Sequence, residues 1–180
     1  MSPISATADQ SPAVGSFEDW NDLDKVEIKQ VFKLANYSAI VVEPFNTKDI
    51  ILPEQDDNTY KPVVEAQSQF NQRLFSKIQE EIDAKPVLAN IDTSTGNVLL
   101  VRGKVIEMIP GIKSLRMFVG YGAGHAGVVI DSEIIDVKTN TVLATLKQKR
   151  ASSNGDYDDA LEELTEELGE DIASFIKYFD

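Results

Sequence analysis

The sequence predicts an α+β fold: a two-layer sandwich of one mostly antiparallel four-stranded sheet, elements in the order β-α-β-β-β-α, with two helices on one face. Three observations predict it. Arg116 to Val137 runs from Met117-Phe118-Val119 through Gly120, Gly122, Gly124 and Gly127 into strict alternation, with Val128, Ile130 and Ile134 on one side and Asp131 and Glu133 on the other. A period of two marks a half-buried strand. Two other segments repeat apolar residues every three or four positions, the mark of an amphipathic helix. Turn residues cut most of the remainder into short β-branched runs.

Residues 1–16, small, polar and Pro-containing, read as a flexible leader, and residues 17–180 as a single domain. Phe17 to Leu34 scatters Trp20, Leu23, Val26, Ile28, Val31 and Phe32 without a clean period, so 17–36 is expected to be an ordered edge arm on a core spanning 37–180. Tyr37 to Phe45 is a strand ended by Glu43-Pro44, and central because it is apolar on both faces. From Pro62 a helix follows, with Val63, Ala66, Phe70, Leu74, Ile78 and Ile82 in one stripe, and Pro86 bars its continuation.

Val98 to Ile109 is a long strand stopped by Pro110-Gly111. Beyond the glycine block, Val137 to Val142 is a tight turn with Asn140 where a positive φ is wanted. The returning strand places Val142, Ala144 and Leu146 opposite Thr145 and Lys147. The last helix carries Leu161, Leu164, Leu168, Ile172, Phe175, Ile176 and Phe179 on one face, with Asp156, Asp158 and Asp159 at its start, where the helix dipole favours anions.

Composition excludes several function classes. With 42% hydrophobic and 26% charged residues the chain is globular rather than disordered. A formal charge of −13 opposes nucleic-acid or anionic-membrane surfaces, both of which need excess Lys and Arg. The absence of cysteine removes disulfides, thiolate metal sites and cysteine nucleophiles. No apolar run approaches the roughly 20 residues of a membrane helix.

Each candidate motif has a plainer structural explanation. The block Gly120-x-Gly122-x-Gly124-x-x-Gly127 leads into a strand, whereas a dinucleotide fingerprint opens a helix, so a kinked or bulged strand explains it better. His125 is the single histidine and has no G-x-S-x-G nucleophile to serve. Asn154-Gly155-Asp156-Tyr157-Asp158-Asp159 fails the EF-hand pattern, with Asp159 where Gly is needed and Thr165 where Glu is needed. No carboxylate pair stands out among the 30 acidic residues for glycosidase chemistry. Arg116, beside Leu115 and Met117, reads as one half of a structural ion pair. No cofactor, metal or catalytic residue is expected.

Val101-Arg102-Gly103-Lys104-Val105, Pro110-Gly111, then Leu115-Arg116, Val119-Gly120, Gly122-Ala123-Gly124 and Ala126 form a series that resembles a bacterial envelope lipoprotein family of unknown function. Asp136 to Ala144 and Val42-Glu43-Pro44-Phe45 match its other motifs, with Asn140 in place of the usual turn glycine. The resemblance runs from about Tyr37 to the C-terminus. It implies a periplasmic, outer-membrane-associated protein tethered through a lipid-bearing cysteine that this chain lacks. It also implies a fold similar to the small α/β domains of envelope assembly proteins, which bind other proteins.

The expected function is therefore a non-enzymatic protein-interaction module of a bacterial envelope complex, its partner an envelope or secretion-system protein and its membrane contact only the tether. Arg116, Phe118, Gly120, Tyr121, Gly122, Gly124 and His125 form the expected contact surface, because glycine-rich strands expose backbone for pairing. The alternatives are a carboxylate-based hydrolase and a cytoplasmic structural or regulatory oligomer.

Overall fold

A computed structural model of the protein describes residues 11–91, 96–111, 125–152 and 160–180. Its elements are β1 (Gly15–Trp20), β2 (Leu23–Ile28), a 3-10 turn at Leu34–Asn36, β3 (Ala39–Val42), α1 (Tyr60–Glu81), β4 (Val87–Leu88), β5 (Val98–Pro110), β6 (Ala126–Asp136), β7 (Thr141–Ala151) and α2 (Ala160–Lys177). The strands form one sheet in the order β1-β2-β7-β6-β5-β3-β4. It has seven strands rather than the expected four. It is also mixed rather than mostly antiparallel, because β3 runs parallel to both β5 and β4.

The extra strands come from places where the apolar period is disguised. The expected edge arm is the β1–β2 hairpin, which begins at Gly15 and joins the sheet through β7. Asp19 and Asn21 take left-handed φ values of 51° and 48° at its turn. Its inward residues fall at Phe17, Trp20, Leu23, Val26 and Ile28, a spacing that matches neither strand nor helix. Strand β4, Val87–Leu88, is too short to show a period at all. The parallel pairing follows from α1, which crosses the sheet face between β3 and β5.

Both helices pack on one face, over a core built from Val26, Ile40, Val101, Ile130, Ile134 and Leu146 of the sheet and Phe70, Leu74, Leu168 and Ile172 of the helices. Phe179, beyond the end of α2, stacks on Phe32 at 4.1 Å and closes one end. The other sheet face carries a second, smaller cluster: Ala39, Val41, Val98, Leu100 and Ile135, flanked by Leu88, Val137 and Val142. Strand β3 is apolar on both faces because each of its faces belongs to a different core.

Two irregularities set which side chains face out. The β5–β6 register slips between Val105 and Glu107, leaving Ile106 over; it is 43% exposed. The β6–β7 register slips at Ile134/Ile135, with Leu143 as the additional residue. Val142 therefore joins the second cluster, while Ala144 and Leu146 enter the first, so the three do not share one face as expected. The turn before β7 is as anticipated, with Asn140 at a φ of 53°.

Candidate functional site

Of the expected contact residues, Arg116, Phe118, Gly120, Tyr121, Gly122 and Gly124 lie outside the described residues. His125 lies within them. Its Nδ1–H donates to the Ser152 carbonyl at 2.6 Å. Next to it, Ala126 pairs with Pro110, so the two chain ends that bound the glycine-rich connection are held side by side at one end of the sheet.

Two of the short motifs meet in space. After β3, Pro44 cannot donate a strand hydrogen bond. The chain bulges there and rejoins β5 at Asn46, whose N–H reaches the Gly103 carbonyl at 3.0 Å and whose carbonyl accepts from Val105 N at 2.8 Å. The Phe45 ring turns to the helical side and fills the place where residue 103 has no side chain. A Cβ on Gly103 would stand 2.5 Å from Phe45 Cε2 and 2.5 Å from the Asp131 carbonyl oxygen. Gly103 is thus required by a close approach, not by a turn.

Helix α1 closes this edge of the sheet. Asn71 Oδ1 accepts from Phe45 N at 2.6 Å, and Asn71 Nδ2 donates to Phe45 O at 3.1 Å, the two bonds a neighbouring strand would make. Gln67 donates to Thr47 O at 2.6 Å and Gln79 to Val87 O at 3.3 Å. These amides sit one position after Ala66, Phe70 and Ile78, so they form a polar stripe beside the apolar one. Sequence reasoning passed over them. The available signal was amide residues repeating at helical spacing along the margin of an apolar stripe.

The sheet face away from the helices is open beside this edge and forms a groove of about 1060 Å³, lined by Glu43, Lys48, Arg102, Lys104, Asp131 and Lys147 among others. Its floor is a lattice of opposite charges. Arg102 pairs with Glu133 at 3.0 Å. Asp131 lies in register between Lys104 and Lys147 on the adjacent strands. Such a surface suits a polar or charged partner, and its exposed pairs are individually weak.

The perturbed ionisable groups lie elsewhere. Burial pushes the Asp171 carboxyl up, against the opposing effects of Arg150, bonded at 2.6 Å, and of Gln148 at 3.2 Å. Burial also pushes the Tyr37 phenol up, reinforced by its 3.0 Å hydrogen bond to Asp136. Burial would raise Asp136 in turn, but donation from the Thr139 backbone and the Tyr37 hydroxyl outweighs it and holds the carboxyl low. Both sets brace elements against each other. Among the described residues, no group of three or more His, Cys, Asp or Glu is placed to hold a metal ion. No helix there is long and apolar enough to cross a membrane.

Residues 40–155 match the family described as Domain of unknown function (DUF4410). The chain belongs to that family. The DUF4410 region takes in β3 to β7 and the glycine-rich connection, and excludes the β1–β2 hairpin and α2. A comparison with curated proteins gives no match.

Among solved structures, a PelC dodecamer from Paraburkholderia phytofirmans is similar over 84% of this chain and 95% of that one, at 16% identity and a TM-score of 0.52. It supports the fold. Protein XCC0632 from Xanthomonas campestris covers 81% of this chain and 90% of its own at 11% identity, with a TM-score of 0.48. A minor lipoprotein from Acinetobacter baumannii covers 78% and 90% at 13% identity, with a TM-score of 0.35.

Proposed function

We propose that this DUF4410 protein is a non-enzymatic interaction module of a bacterial envelope complex, periplasmic and lipid-tethered in its natural form. The observation that carries the reading is the Pro110–Ala126 pairing. It holds side by side, on β5 and β6, the two ends between which the glycine-rich sequence runs, and this supports residues Arg116 to His125 as the contact surface. The open, charge-patterned face beside β5 adds a recognition surface in place of an enclosed apolar pocket. The envelope location rests on the resemblance carried by Val101–Val105, Pro110-Gly111 and the glycine block.

Cross-linking capture from native envelope extract tests the reading, with the purified protein as bait and Arg116→Ala and Gly124→Val as controls. One defined envelope component, recovered with the parent chain and lost with both variants while they remain folded, is the expected result. Equal recovery with both folded variants excludes this surface.

A further inference from the structure

The two edges of the sheet differ. At the β3–β4 edge, Gln67, Asn71 and Gln79 already hold the backbone groups that a further strand would use. At the other edge, among the described residues, β1 pairs with β2 alone and no hydrogen bond reaches it from outside the hairpin. Alternate residues of an edge strand direct N–H and C=O outward and can template a further strand.

The β1 edge is also rigid and bounded. Trp20 anchors it, edge-on to Phe175 at 5.0 Å and to Tyr178 at 4.9 Å. Pro12 on one side and left-handed Asp19 on the other confine regular pairing to the stretch between them. A preformed edge lowers the ordering cost of binding an extended segment. Its charge selects the occupant. Residues 15–28 carry five carboxylates, Glu18, Asp19, Asp22, Asp24 and Glu27, against the single cation Lys25. A second copy would bring two such acidic hairpins together.

We propose that the Gly15–Glu18 edge of β1 receives an extended segment of a partner protein with Lys or Arg at alternate positions, added as an eighth strand. This contact is separate from the glycine-rich connection and does not depend on it.

The test uses the whole protein and two short synthetic peptides, one alternating lysine with valine and the other glutamate with valine. Amide hydrogen exchange read by NMR locates any added strand. The lysine peptide is expected to protect alternate amides within Gly15–Glu18, to bind less tightly as salt rises, and to outbind the glutamate peptide several-fold. The exposed substitution Glu18→Lys, which leaves the Asp22–Arg150 ion pair in place, is expected to reduce that preference several-fold while the protein stays folded. Equal binding of both peptides, or protection at a site other than β1, overturns the proposal. Protection of β1 that grows with protein concentration alone overturns it in favour of a second copy.

Discussion

At Gly103 a missing side chain decides how two strands and a helix meet. The Phe45 ring occupies its space and the Asp131 carbonyl lies behind it. Gly103→Ala is expected to lower stability by about 1–3 kcal/mol, the usual cost of overpacking, measured by urea denaturation. Truncating the neighbouring Arg102 to Ala removes only an exposed ion pair and should cost about 0.2–1 kcal/mol in the same assay. The contrast separates packing from charge on one strand. Gly103 and Phe45 were both legible as parts of short motifs, but their contact was not, because 58 residues of chain separate them and no local pattern reports a cavity filled from that far away.

Tyr37 and Asp136 give the protein a pH signature. The folded Asp136 carboxyl is held below its ordinary value, so its contribution is present above the unfolded pKa, near 3.9, and lost as pH falls through the lower folded one. Tyr37 is raised, so its contribution holds below about pH 10 and is lost as pH climbs through the folded value. Tyr37→Phe should cost about 1 kcal/mol at pH 7 and flatten both limbs of a stability–pH curve from chemical denaturation.

Among the elements, α1 has two functions on adjoining stripes. Its apolar stripe was readable from Val63, Ala66, Phe70, Leu74 and Ile78, which recur with helical period and are buried. Its amide stripe was not, because Gln and Asn on a helix ordinarily face solvent. Asn71→Leu leaves Phe45 N and O without partners beside the sheet edge. A loss of about 1–3 kcal/mol is expected, with faster aggregation in light scattering, because the edge is then free to pair between molecules. The β1–β2 hairpin was illegible for a different reason, since left-handed Asp19 and Asn21 break the alternation that marks a strand. For β3, with both faces buried, a continuous apolar run was enough.

Across the whole molecule, charge is sorted by layer. Helix α2 carries Glu162, Glu163, Glu166, Glu167, Glu170 and Asp171 against Lys177, whereas the open sheet face alternates acids with Arg102, Lys104 and Lys147. Arg73 of α1 bridges to Glu162 and Glu166 of α2, and Gly169 lets the helices close to where a Cβ would meet Lys77 Cβ at 3.0 Å. Gly169→Val should force α1 and α2 apart and lower the calorimetric melting temperature by several degrees. The acidic helix was visible in the sequence. The mixed-charge floor was not, since it exists only once β5, β6 and β7 lie in register.

The pairing of Lys25 with Lys147 has a consequence in time rather than in space. Strand β2 leaves the ribosome more than a hundred residues ahead of its neighbour β7. The β1–β2 hairpin therefore has no strand to dock on until β7 has been made, and the loop it must close is long. Nascent chains ending before Thr141 should leave residues 15–28 open to protease, with protection arriving only once β7 has been made. The order of synthesis thus runs against the order of assembly, and the protein commits to its native state late.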